Sequence, residues 1–184
     1  MGAFQFSLLP NLKKQYEHGG DLLVGKRKSK RPFDRKRPLH LVFRSDLAVG
    51  RHSFLMPANK QKARDLLMFF AKKWRIRIWD VSFNSNHIHL LASALDRQSL
   101  NHFLRAFPGA AAMAITGARK GHSLLKKFWS VRVYSRIVEW GRAFGIVRRY
   151  ILKNRLEAEG VISYEPRAKR RSTLAASRLR DLRE

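Results

Sequence analysis

Residues 75–93 read RIRIWDVSFNSNHIHLLAS. In the first half Ile76, Ile78, Asp80 and Ser82 alternate with Arg77, Trp79, Val81 and Phe83, the two-residue period of a strand. The Asn84-Ser85-Asn86 cluster is a turn signal, because short amide and hydroxyl side chains bond their own backbone. Residues 87–93 resume as a second strand, with Ile88 and Leu90 on the face opposite His87 and His89. The stretch therefore predicts a β-hairpin.

Working outward, Ala63, Leu66, Leu67, Phe70 and Trp74 recur at three- and four-residue spacing, an apolar helix stripe, with Pro57 suited to its first turn. Before it, 39–44 (LHLVFR) alternates as a strand. Residues 25–38 (GKRKSKRPFDRKRP) form a basic arm, either solvated or in contact with a polyanion. Residues 1–24 show no clear period and stay unassigned. Downstream, Leu100, Phe103, Leu104, Phe107, Ala111 and Ile115 predict a helix over 97–116, kinked or interrupted at Pro108-Gly109. Residues 116–127 form a Gly- and Lys-rich loop, and 128–138 (FWSVRVYSRIV) read as a strand. A helix over 140–159 carries Phe144, Val147, Ile151 and Ala158 inward and stops at Gly160. Residues 163–184 are a basic tail. The order β-α-β-β-α-β-α predicts an α+β domain over 39–162, a ferredoxin-like antiparallel sheet with packed helices.

The 184 residues suit one domain, and 45% hydrophobic content supports a core. Lys and Arg number 39 against 13 Asp and Glu, a formal charge of +26. Such an imbalance opposes compaction and favours a polyanionic partner, with nucleic acid first and an anionic membrane surface second. The chain has no cysteine, which rules out disulfides, zinc ribbons and thiol catalysis, and leaves the cytoplasm as the expected compartment. No signal-peptide pattern is present and no apolar run nears the ~20 residues that span a bilayer. No membrane partner is expected.

Two groups of residues could do chemistry. His87 and His89 share a strand face, so their imidazoles can meet one divalent cation, although two ordinary strand histidines would look the same. Tyr150 and Asn154 lie four apart on one helix face and present a hydroxyl and an amide together. A boundary tyrosine is the bland alternative.

The segments NHIHLL, FWSVRVYSRIV and RRYILKNRLEAEG, in that order, resemble the HUH-type single-tyrosine transposases, and most nearly the REP-associated tyrosine transposases. RPLHLVFRS resembles that family's first strand, and the likeness covers roughly residues 25–162. The resemblance implies a HUH endonuclease fold and a Mg²⁺ or Mn²⁺ ion on His87 and His89, with Asn154 as third ligand. It implies Tyr150 as nucleophile, forming a 5′-phosphotyrosine on single-stranded or hairpin DNA, with no small-molecule cofactor. The chain departs from the family pattern at Asn154-Arg155-Leu156, where Asn-Pro-Val is usual, and at Asn84-Ser85, where Met-Pro is usual. These changes bear on the DNA target and remove no side chain that the chemistry needs.

Arg132, Arg136, Arg149, Lys153, Arg27, Lys28 and Arg31 are candidate phosphate contacts. His40 is read as packed or hydrogen-bonded beside the site, and Asp80 as structural or as a carboxylate orienting a histidine. Trp79, Trp129 and Trp140 are either core residues or surfaces for unpaired bases. A non-catalytic nucleic-acid-binding protein of the same fold and a replication-initiator-type nickase are the alternative functions.

Overall fold

Leu39, Leu41 and Phe43 alternate with His40, Val42 and Arg44, and the segment forms strand β2, Leu39–Arg44. The computed structural model describes residues 16–26, 29–119 and 126–164. Arg27 and Lys28 of the basic arm, His122 of the Gly/Lys-rich loop and the tail beyond Tyr164 lie outside the described residues. β2 pairs antiparallel with β4 (His87–Ala94) on one side and β5 (Tyr134–Ile137) on the other. β3 (Ile76–Phe83) lies on the far side of β4 and β1 (Glu17–His18) on the far side of β5, giving the order β1-β5-β2-β4-β3.

Helices α1 (Pro57–Lys73) and α2 (Arg97–Thr116) cover the face to which Leu39, Leu41, Phe43, Ile88 and Leu90 point. Pro57 is in the first turn of α1, and the Asp96 carboxylate caps α2 by accepting the Ser99 N–H at 2.7 Å. Ala63, Leu67, Leu100, Phe103 and Phe107 are buried against the strands. Each of these leucines and phenylalanines contributes roughly 1.5–3 kcal/mol of transfer free energy, and the alanine methyl less. Helix α3 (Arg142–Ala158) lies on the other face, where its Val147 and Ile151 pack against Leu91 and Val138. It ends at Gly160 (φ 72°) in a Schellman motif, with Val161 N–H donating to Leu156 O at 2.9 Å.

The structure departs from the sequence expectations in four places. α2 runs unbroken through Pro108, whose ring is buried and whose carbonyl accepts the Trp129 indole N–H at 2.8 Å, so tertiary packing offsets the ladder bond that proline cannot make. The strand expected over 128–138 is confined to 134–137. Phe128 and Trp129 leave the ladder to close the end of the core, where Trp129 stacks on Phe54 at 5.7 Å between centroids. Strict alternation fails in β3, because a bulge between Ile78 and Asp80 shifts the register. Ile76, Ile78, Val81 and Phe83 therefore share the face of α1 and α2, whereas Arg77, Trp79, Asp80 and Ser82 share the face of α3.

The fourth departure is at the N-terminal side. Residues 17–18 supply an edge strand, and the turn after it needs Gly19, since a Cβ there would come within 2.1 Å of Val133 O. From Ser29 the basic segment is tied to the sheet in part, with Arg31 and Phe33 half-buried while Lys30, Arg35 and Lys36 stay exposed. Ser29 O bonds the ring of buried His18 at 3.0 Å, and Asp34 pairs with Arg37 at 2.6 Å.

Candidate active site on the α3 face

The site grows out of cross-strand register. Val42 pairs with His89 and His89 with Ser82, while His40 pairs with both Leu91 and Arg136. Residues directly opposite in antiparallel strands share a face, so His40, His87, His89, Ser82 and Arg136 are gathered under α3. His40 and His89 stack with centroids 5.2 Å apart, and the rings of His87 and His89 lie 4.8 Å apart and nearly perpendicular. Tyr150 enters from α3, its ring 5.1 Å from that of His89 and its hydroxyl 3.4 Å from His89 Nε2. The two sequence motifs, 61 residues apart, thus meet in space.

Hydrogen bonds set the orientation of the imidazoles. Asn86 Oδ1 is 2.8 Å from His87 Nδ1, and a carbonyl oxygen can only accept, so the proton sits on Nδ1. The lone pair is then on Nε2, where the Asn84 amide donates at 2.7 Å. Asn84 is itself held by Ser82 Oγ, which donates to Asn84 Oδ1 at 3.1 Å. His89 Nδ1 lies 3.1 Å from His40 Nε2. With the His89 proton on Nδ1 donating to His40, Nε2 of His89 is likewise the atom left toward Tyr150. Burial pushes both His40 and His87 down to about 4, with Arg136 and Arg44 adding to the respective shifts. Both are neutral at pH 7 and keep a lone pair.

The donor types present, two neutral imidazoles and an amide oxygen, are ones a divalent cation accepts. His89 leaves Nε2 toward Tyr150, whereas Nε2 of His87 is occupied by the Asn84 amide, which would have to turn away before that atom could hold a metal. Asn154 spends its amide nitrogen on Tyr150 O at 2.7 Å, which leaves its carbonyl oxygen for another partner. Among the described residues no group of three or more His, Cys, Asp and Glu is arranged to hold a metal. His40 is the neighbour whose Nε2 bonds His89 Nδ1. Asp80 stays off the histidines. Its carboxylate takes Arg155 at 3.2 Å and Arg148 at 3.9 Å, both from α3, and so fastens the helix that carries Tyr150.

The candidate phosphate contacts divide. Arg149 and Lys153 are exposed on α3 on either side of Tyr150, with Lys153 also 3.6 Å from Glu157. Arg136 is buried beside His40 and 3.8 Å from Glu17. Arg132 is exposed beside the edge strand, where its carbonyl accepts the Gly20 N–H at 2.8 Å and its charge acts on His18 and Arg31. Arg31 is not brought to the site. Its guanidinium donates to Val133 O at 2.8 Å and to Ser135 Oγ, and Ser135 shares the face of Leu41 under α1 and α2. Sequence reasoning treated Asn84 and Asn86 as turn formers alone. Two amides flanking a His-x-His pair were the available signal that they also orient an imidazole.

No curated protein matches the chain. The fold is similar to that of a solved REP-associated tyrosine transposase bound to a REP hairpin, at 14% identity and a TM-score of 0.52, over 86% of this chain and 88% of that one. A Deinococcus radiodurans R1 protein described as a transposase is similar at 20% identity and a TM-score of 0.42, over 70% of this chain and 98% of that one. Residues 37–154, which span more than half the chain and include every member of the site, match the model for IS200-like transposases, and the chain belongs to that family.

Proposed function

We propose that the chain cleaves and rejoins single-stranded DNA through Tyr150, taking a strand with hairpin character as its substrate. The observation that carries this reading is the approach of the Tyr150 hydroxyl to His89 Nε2 at 3.4 Å, beside a second imidazole, that of His87, with its centroid 4.8 Å from that of His89. A net charge of +26 and the REP hairpin held by the structural relative support a DNA substrate. A Mg²⁺ or Mn²⁺ ion held by His87, His89 and Asn154 would supply Lewis-acid polarisation of the scissile phosphate.

The chain's own residues do the rest. Tyr150 Oη attacks phosphorus, an O–P bond to the tyrosine forms, and the bond from phosphorus to the 3′ oxygen breaks with its electron pair on that oxygen. In balance, the phenolic proton ends on the released 3′ oxygen. The products are a 5′-phosphotyrosine and a 3′-hydroxyl, and attack of a 3′-hydroxyl on the phosphotyrosine reverses the step with no nucleotide cofactor. His40 holds His89 through Nδ1, and Asn84 and Asn86 hold His87, so both rings keep one orientation, and a metal would reach His87 Nε2 only once the Asn84 amide moved off it. Asp80, through Arg155 and Arg148, keeps Tyr150 over the histidines.

The test is incubation with a pool of labelled single-stranded hairpin oligonucleotides and Mn²⁺, followed by denaturing electrophoresis. A covalent protein–DNA adduct that disappears in Tyr150→Phe is expected. Retained salt-sensitive binding with no adduct across the pool would replace this reading with that of a non-catalytic DNA-binding protein.

A further inference from the structure

We propose that Trp140, with Trp79, Phe144 and Arg77 around it, is a stacking site for an unpaired nucleobase of the strand that reaches Tyr150. The inference rests on the reading of the chain as a single-strand-acting enzyme, and it names a contact that the chemistry at Tyr150 does not use.

Trp140 immediately precedes the turn into α3. It is 48% exposed, a large apolar area to leave in water. It is also held in one pose. Its indole N–H donates to Lys36 O at 2.7 Å, Trp79 meets it edge-on at 5.2 Å between centroids, and Phe144 packs beside it at 4.8 Å. With these neighbours in place about half of the residue stays open to solvent. A tryptophan that only filled the small cluster under α3 would gain by turning inward, yet the bond to Lys36 keeps it out. Gly141, at φ 81° and with open space where a Cβ would lie, makes the sharp turn that leaves Trp140 outside the helix.

The surroundings suit a nucleic acid. The Arg77 guanidinium lies 3.9 Å above the Trp79 ring and that of Arg148 lies 5.9 Å from Phe144. The nearby carboxylates are engaged, Glu139 with Arg37 at 3.6 Å and Asp80 with Arg148 and Arg155. An aromatic cluster with a guanidinium on each of two neighbouring rings is a composition that holds single strands, because every base has a π-face and phosphates follow the charge. The position also fits. Phe144 is six residues before Tyr150 on one helix, about 9 Å at 1.5 Å per residue, so a strand crossing Tyr150 along α3 reaches Trp140 within a few nucleotides. The bulge in β3 contributes by turning Trp79 to this face, where its indole N–H bonds Ser93 Oγ at 2.8 Å.

The full chain can be titrated in divalent-free buffer, where binding proceeds without cleavage, using a mixed-sequence single strand and the blunt duplex made from it. W140L keeps apolar volume without a π-face and should bind the single strand about tenfold more weakly, with duplex affinity within about twofold of wild type. W140F should keep single-strand affinity within about threefold, while the quenching of tryptophan emission seen on binding by wild type is lost. Equal quenching in W140F would overturn the inference, as would W140L binding the single strand like wild type or losing both ligands alike. If W140L fails to fold by circular dichroism, the quenching in W140F decides. Adduct formation is scored separately. Adducts without any Trp140 effect remove only the stacking site, and a Trp140 effect without adducts removes only the cleavage chemistry.

Discussion

The two faces of the sheet are built to different rules. Under α1 and α2 the strands present Leu39, Leu41, Phe43, Ile88 and Leu90, and the helices answer with Leu67, Leu100, Phe103 and Phe107, all essentially inaccessible. Under α3 the apolar cluster is small, and His40, His87, His89, Ser82, Asn84 and Arg136 lie beside it in hydrogen-bonded or charged surroundings. Buried polar groups cost free energy unless each finds a partner. The second face is therefore held by specific pairings where the first is held by shape and volume. One face supplies stability, and the rigid platform it makes holds the polar side chains of the other in place.

Substitutions can break this division if it is wrong. The largest effect should come from paired variants, Tyr150→Phe and Phe103→Ala. The first should abolish adducts with a midpoint of denaturation unchanged within error. The second should cost ~3–5 kcal/mol in denaturant unfolding by opening a cavity in the main core. A Tyr150→Phe protein as unstable as Phe103→Ala would mean that the α3 face is structural after all.

A second test uses pH. His40 and His87 stand near 4 in the folded chain against an ordinary 6.5, so between those values the unfolded chain binds more protons than the folded one. Stability is full above 6.5 and falls as pH drops through this window, by at most about 1.4 kcal/mol per pH unit for each histidine. Thermal melts from pH 7 to 4.5 of wild type and His40→Leu should diverge, the variant falling less steeply. Parallel melts would show that burial of these rings contributes nothing to acid lability.

The smallest effect is expected for Asp80→Asn. Because Arg148 and Arg155 are half exposed, the loss of both pairings should cost only about 1 kcal/mol. It should nevertheless reduce adduct formation, since α3 carries Tyr150. Activity equal to wild type would show that apolar packing of Val147 and Ile151 alone positions the helix.

How much was legible in the sequence follows the same division. Strand β2 and the stripes of α1 and α2 have the periods expected of them, because apolar side chains on a regular element must repeat with it. The hairpin was legible too, together with the shared face of His87 and His89. Residues 128–133 misled because Phe and Trp favour strands and cores equally, and here the core took them. Pro108 misled because the cost of a missing ladder bond was offset by burial that no local rule sees. The β3 bulge was invisible for a sharper reason. Alternation continues through Asp80 and Ser82 on paper, and only pairing with Leu91 and His89 shows that one residue has been skipped.

The sequence by itself determined the strong positive charge, the antiparallel hairpin, and a His-x-His pair on one strand face with a tyrosine and an amide one helical turn apart. These follow from charge and from local periodicity, which neighbours in the chain set between them. Tertiary structure decided that Tyr150 meets His89, that His40 orients it, that Arg31 is turned to the opposite face and Asp80 to the arginines of α3, and that Trp140 stays outside. Each depends on strand register and helix docking, and those are settled by burial and hydrogen bonding between residues far apart in sequence.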